Sequence, residues 1–332
     1  MSVKLGSMLT GLVAVLWSDV GQADAKVELA LKEKRSDEIV FESYRDVAEI
    51  HSIPLANGRK VADPESWRSI LVAYVGVDPQ SHLPITCTGT LIGPGVFLTA
   101  AHCFDRGASR GIESKISIGY GSHNELQVDC DIAPAYRLAV KKMVWNGAPP
   151  RVSDDFALCS FDSAKYTPPG IIYELIDTKN AVPKNLPVLM SGLGCAKLTV
   201  DRVVGLLSSA SDLSLRIGDA IAQAPATLDA GAESNYLQIH SQISQPALCP
   251  GDSGGPLFSG IDSDHPIGKR RIRGINSTIG RAFTQGGDVY FVSKISVLAS
   301  PSFIALLDEW HAAHKDNLIC DDSSAGTHSC GN

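Results

Sequence analysis

Short apolar runs broken by turn residues set the rhythm of the chain from Ser69 onward. They read SILVAYVGV, CTGTLIGPGVFLTAAHC, KISIGYG, LAVKKMVWN and FALCSF. A Pro- and Lys-containing stretch from Ser163 to Pro187 reads as a connector, and the runs then resume as VLMSGLG, YLQIHSQI, RIRGINSTI and DVYFVSKI. Runs of this length, bounded by Gly, Pro, Asn and Ser, predict strands. A Ser/Ala-rich excursion from Ser208 to Ser234 interrupts the second set. Only the last element changes period: in PSFIALLDEWHAAHK the apolar residues Phe303, Leu306, Leu307 and Trp310 follow helical spacing, with Pro301 at the start. No internal repeat stands out. Two β-domains closed by a C-terminal helix is the coarse expectation.

The beginning of the chain follows other rules. Lys4 precedes an apolar stretch from Leu5 to Trp17, and Ala23-Asp24-Ala25 supplies a small-x-small cleavage site, so residues 1–25 read as an export signal. That stretch is too short to span a bilayer comfortably, and no later one is long enough, so no membrane span is expected. Residues 26–54 are charge-rich and read as helical or loosely ordered, a pro-segment or N-terminal arm. The expected location is therefore secreted or periplasmic. Eight cysteines suit an oxidising compartment, and none forms a Cys-x-x-Cys pair, which favours structural disulfides over zinc or redox chemistry. No metal or cofactor is implied. A net charge of -7 argues against nucleic acid as a partner, and the basic cluster Lys269 to Arg273 (KRRIR) reads as a solvated hairpin.

Against this background LCPGDSGGPLF, Leu248 to Phe258, sets one serine between glycines with an aspartate before it. A hydroxyl is a poor nucleophile near neutral pH. It needs a general base within reach, a group that orients the base, and donors for a developing oxyanion. LTAAHC, ending in Cys103, places His102 at the end of a β run among small residues, and DDFAL, Asp154 to Leu158, sets two acids against an apolar strand. A carboxylate at such a junction can be buried and held still, as orienting an imidazolium requires. Each of these residues alone has an ordinary structural explanation; together they form a constellation. His51, His82, His123, His240, His265 and His328 lack such a setting, and His311 and His314 read as surface residues of the last helix.

The order His, Asp, Ser in TAAHC, D-[apolar]-A-L and GDSGGP resembles the chymotrypsin/trypsin family of serine endopeptidases, from about Leu55 to the C-terminal helix. The resemblance implies an all-β fold of two antiparallel six-stranded barrels, about 55–165 and 185–300, with the active site between them. A helix over 301–316 and a polar tail over 317–332 complete the expectation. Carried over by position, Ser253 is the nucleophile, His102 the general base and then acid, and Asp155 the orienting acid, with Asp154 solvated. The backbone N–H groups of Gly251 and Ser253 form the oxyanion hole, and Ser277 in GINST hydrogen-bonds the acid. The implied partners are a protein or peptide substrate and an activating protease.

Family positions also assign further residues. The resemblance pairs Cys87 with Cys103 around the histidine loop and brings Cys195 to Cys249 beside the nucleophile; Cys130–Cys159 and Cys320–Cys330 use the remainder. In the family, cleavage frees an amine that pairs with the aspartate before the nucleophile. Here that implies Leu55, at the head of Leu55-Ala56-Asn57-Gly58, and Asp252, although Pro54 makes a poor junction for a trypsin-like activator. Ala247 falls at the base of the specificity pocket and Ile279 on its wall. Asp288 falls at a second base position, either pointing inward or turned to solvent beside Gly286 and Gly287. The implied preference is mixed, for medium apolar residues plus Lys. Two other readings compete: a trypsin-like binding protein with a silent triad, and an esterase of the G-x-S-x-G type, which needs a helix after the serine and its acid and histidine downstream.

Overall fold

The computed structural model describes residues 38–43, 55–61, 64–77, 84–105, 111–113, 115–120, 124–142, 152–168, 170–195, 197–201, 205–208, 214–223, 236–284, 286–321 and 330. The export signal and the junction before Leu55 lie outside the described residues.

The first half forms a closed barrel. Its strands are β1 (Ile39–Ser43), β3 (Ile70–Val77), β4 (Pro84–Gly93), β5 (Val96–Thr99), β6 (Ile116–Tyr120), β7 (Asn124–Ile132) and β8 (Ala157–Ser160), while β2 (Arg59–Lys60) joins the second sheet. Around the barrel the order is β1-β3-β4-β5-β8-β7-β6. Seven strands close it, not the expected six. The extra strand comes from within the charge-rich stretch read as a pro-segment or arm: IVFES runs antiparallel to β3 and parallel to β6. Ile39 and Phe41 are fully buried in the barrel core. Five residues amid charges gave too short a pattern to stand out.

A second difference lies at LAVKKMVWN, expected as a strand. The chain is helical at its start, as the end of α1 (Pro134–Lys142). Proline suits a first helical position, and Ala135, Arg137, Leu138, Ala139 and Lys141 are good helix formers. Tyr136 is buried against the barrel core while Leu138 faces solvent.

The second half is a larger sheet. Its strands are β9 (Leu175–Ile176), β10 (Pro187–Gly192), β13 (Arg216–Ile221), β14 (Leu237–Gln242), β15 (Pro256–Ser259), β16 (Arg271–Phe283) and β17 (Val289–Val297); β11 (Leu198–Asp201) and β12 (Gly205–Ser208) form a separate hairpin. The order is β14-β17-β16-β15-β10-β13-β2, with β9 beside β16. A bridge between Gln223 and Gln238 brings the chain after β13 back to β14, so the six main strands curl round on themselves. Strand β13 lies inside the stretch read as a Ser/Ala-rich excursion; Ile217 is its buried contribution.

The closing helix α2 (Pro301–Ala313) starts at Ser300, whose hydroxyl accepts from Phe303 N at 3.2 Å. Phe303 packs edge-on against Phe156, with ring centroids 5.1 Å apart. His314 is not a bare surface residue: it stacks on Trp310 at 4.7 Å and meets Asp131 at 3.3 Å. The chain after α2 docks on the first barrel, where Cys320 N donates to Ile92 O at 2.7 Å.

The basic cluster is likewise not a solvated hairpin. Arg270 forks onto Glu174, donating from Nε at 2.8 Å and from Nη2 at 2.5 Å, and lies 4.0 Å from the Trp67 ring centroid. Glu174 also accepts from Ser69 Oγ at 2.6 Å. Arg273 is buried against Asp177. These pairs join the start of the first barrel, the connector and β16.

Candidate active site

Each expected site residue sits on an element end or a tight loop. His102 lies in the 3-10 turn Ala101–Phe104 that follows β5, braced by Cys87–Cys103. Asp155 immediately precedes Phe156 and β8, and β8 pairs with β5. One sheet ladder therefore sets the distance between histidine and acid. His102 Nδ1 lies 2.7 Å from Asp155 Oδ2, and His102 N donates to Asp155 Oδ1 at 2.8 Å. Ser277, on β16, donates from Oγ to Asp155 Oδ2 at 2.5 Å. Asp155 is 2% exposed, whereas Asp154 is half-buried and not simply solvated.

Burial opposes both charges, and their mutual attraction overrides it. For His102, desolvation pulls the imidazole pKa down, but the Asp155 charge and hydrogen bond, with help from Asp105, bring the net shift upward. For Asp155, desolvation pushes up, while His102 and the Ser277 hydroxyl bring it below the usual carboxylate range. The arrangement favours a carboxylate beside an imidazole that readily takes a proton.

Ser253 stands in a loop of the second half that the first half grips. Gly251 takes φ +107° and Gly254 φ +82°, backbone that a side chain rarely tolerates. Thr88 of β4 grips the loop twice: its N–H donates to Ser253 O at 2.7 Å and its Oγ1 to Gly251 O at 3.0 Å. Cys103 Sγ lies 3.9 Å from Ser253 O, which brings the histidine turn against the serine loop. The Ser253 hydroxyl donates to Ser277 O at 3.4 Å. Among the described residues, neither Gly251 N nor Ser253 N donates to a protein acceptor.

Asp252 points inward. It is fully buried, accepting from Gly194 N at 2.5 Å and Cys249 N at 2.7 Å. Burial raises its pKa well above the ordinary value, and the two amides pull only partly against this. A Cβ at Gly192 or Gly194 would collide with this carboxyl. Leu55 is also fully buried, Ala56 bridges to Ala247, and Asn57 Nδ2 donates to Ile243 O at 2.8 Å and Gln245 O at 3.1 Å. Ala247 is buried and Ile279 packs partly buried beside it. Asp288 is exposed in the β16–β17 turn, where Thr284 N donates to Asp288 O at 2.8 Å.

The cysteines form four disulfides, Cys87–Cys103, Cys130–Cys159, Cys195–Cys249 and Cys320–Cys330. The esterase reading fails locally, because strand β15 and not a helix follows Ser253. Three contributors gave no signal in the sequence. Thr88 is one of several strand threonines. Asn276 holds Ser191 O at 2.8 Å and Asp252 O at 3.2 Å. Tyr236 donates to Val152 O at 2.6 Å and lies 3.4 Å from Ser277 Oγ, tying the chain before Asp155 to β16.

The family model Trypsin matches residues 57–299. No curated protein matches the sequence. Among solved structures, one described as "Structure of Glu endopeptidase in complex with MPD" aligns with 19% identity and a TM-score of 0.43, covering 77% of this chain and 97% of that one. With more than half of its length matched by the family model, the chain belongs to the trypsin family.

Proposed function

We propose that the chain is an exported serine endopeptidase that cleaves peptide bonds through Ser253, His102 and Asp155. The observation that carries this reading is the pair of hydrogen bonds from His102 and Ser277 that converge on the buried Asp155 beside the Ser253 loop. Attack begins when the Ser253 hydroxyl leaves Ser277 O and turns toward His102 Nε2, a move between staggered rotamers. Nε2 takes the hydroxyl proton as Oγ bonds to the scissile carbonyl carbon, and Asp155 stabilises the imidazolium through Nδ1–H. Gly251 N and Ser253 N donate to the oxyanion. His102 then returns the proton to the departing amine, leaving an acyl-enzyme. Water, deprotonated by the same imidazole, releases the acid and restores Ser253.

The buried Ala247 and the partly buried Ile279 favour medium apolar side chains before the scissile bond. Asp288, exposed at the second base position, adds the Lys part of a mixed preference. Export is supported by the disulfides, which persist in oxidising compartments. Among the described residues no helix is long and apolar enough to cross a membrane. The test is labelling of the purified protein with a fluorophosphonate probe, followed by peptide mapping. Ser253 should carry the label, and Ser253→Ala should lose both label and about a millionfold in peptide hydrolysis. Retention of most activity in Ser253→Ala would overturn the assignment.

A further inference from the structure

We propose that strand β1 is a permanent part of the folded body, so that cleavage before Leu55 yields a two-chain protein and not a released pro-segment. The strand sits in the wall of the barrel. Phe41, Glu42 and Ser43 register with Ala73, Val72 and Leu71 of β3, while Ile39, Val40, Phe41 and Glu42 register with Ile116, Ser117, Ile118 and Gly119 of β6. Its start is held as well: Ile39 N donates to Lys115 O at 3.0 Å, and the Ser117 hydroxyl donates to the Glu38 carboxylate. Withdrawing β1 would strip β3 and β6 of one partner each and leave two edges in a barrel that otherwise has none.

The side chains bind the strand to the site. Phe41 is fully buried, 4.7 Å from Phe97 and 6.1 Å from Phe104 between ring centroids. Phe104 belongs to the same 3-10 turn as His102. Gly89 of β4 leaves the space Phe41 fills, since a Cβ there would lie 3.2 Å from Phe41 Cε1. The upstream strand therefore supports the floor of the histidine turn. No cysteine lies upstream of Cys87, so after a cut between Ser43 and Leu55 only strand pairing and packing hold the piece. The slot between β3 and β6 accepts one occupant, this chain's own Ile39–Ser43, much as extended peptides add to sheet edges elsewhere.

The test uses the full chain as Ser253→Ala, to prevent self-digestion, with a site-specific protease recognition sequence placed within residues 48–53. After cutting, native mass spectrometry and size exclusion at micromolar concentration should show fragment and body as a one-to-one complex that separates only when the body unfolds. A free fragment beside a folded body overturns the proposal. Phe41→Ala in the same protein, checked first for folding while uncut, should release its fragment at least tenfold faster. Equal retention would show that something other than β1 holds the piece and would also overturn it. A parallel arm rests on the peptidase reading: in the Ser253 form, fluorophosphonate labelling should track fragment retention. Full labelling of a stripped body contradicts the role of β1 beneath His102, whereas a protein cut to begin at Leu55 that keeps its fragment and never labels contradicts the peptidase reading and leaves the binding result standing.

Discussion

Ser277 touches both ends of the proposed machinery: its hydroxyl donates to Asp155 Oδ2 at 2.5 Å, and its carbonyl accepts from Ser253 Oγ at 3.4 Å. One residue on β16 thereby registers Asp155, beside the first barrel, against the Ser253 loop of the second half. Removing the hydroxyl leaves a buried carboxylate with one donor fewer. Such a loss costs about 1–3 kcal/mol, equivalent to roughly a tenfold to hundredfold change in rate. Ser277→Ala should lower kcat by about that factor with little change in KM, and Ser277→Thr, which keeps the hydroxyl, should recover most of it. Steady-state kinetics on a peptide substrate decides; a fall confined to KM would place Ser277 in substrate binding.

The pH profile follows from the pair His102 and Asp155. General-base action needs the neutral imidazole, so kcat/KM falls as pH drops through the His102 pKa. Burial lowers that pKa, but Asp155 overrides it and the net shift is upward. The acid limb should therefore lie above the ordinary imidazole value of about 6.5. Asp155→Asn removes the charge that favours imidazolium, so its residual activity, about ten-thousandfold lower, should show an acid limb moved to lower pH. An unmoved limb would mean that another group sets it.

How far the sequence reached depended on the length of each signal. The meeting of His102, Asp155 and the Ser253 loop was foreshadowed by short motifs whose neighbours answer backbone needs, as with the positive φ of Gly251 and Gly254 around Ser253. The C-terminal helix was legible from its period. Strand β1 was not, because five residues inside a charged stretch carry too little pattern, and their partners lie far along the chain in β3 and β6. Helix α1 failed for another reason: Leu138, Ala139 and Val140 suit strand and helix alike, and the deciding Pro134 lay outside the run. The burial of Arg270 was hidden because its partner Glu174 lies in a stretch read only as a connector.

The Glu174–Arg270 pair makes a stability prediction. Both side chains are nearly buried, at 4% and 9% exposure, so truncating one strands the other charge. Glu174→Ala should destabilise the protein by about 3–5 kcal/mol. Replacing both, as Glu174→Leu with Arg270→Met, should cost distinctly less, since neither charge then remains unpaired. Urea unfolding with the disulfides intact measures both. If the double variant were as unstable as the sum of the single ones, the pair would not be coupled.

Asp252 joins the maturation question to pH. Its carboxyl is buried with two amide donors, and burial holds its folded pKa well above the unfolded value. A raised acid contributes stability that is present in full below the unfolded pKa and is lost as pH rises through the folded one. In the uncut chain, stability should decline from about pH 4 upward by this contribution. Asp252→Asn, which cannot ionise, should remove that part of the slope. Cleavage that creates an amine at Leu55 would set an ammonium against the carboxylate, lower its pKa and flatten the profile in the same way. The active species at neutral pH should then begin at or near Leu55, with the piece carrying Ile39–Ser43 still attached. Thermal unfolding against pH, on uncut and cut protein, together with N-terminal sequencing of active material, checks both halves. Full neutral-pH activity from a chain starting near Lys26 would show that the two amides alone hold Asp252 in place.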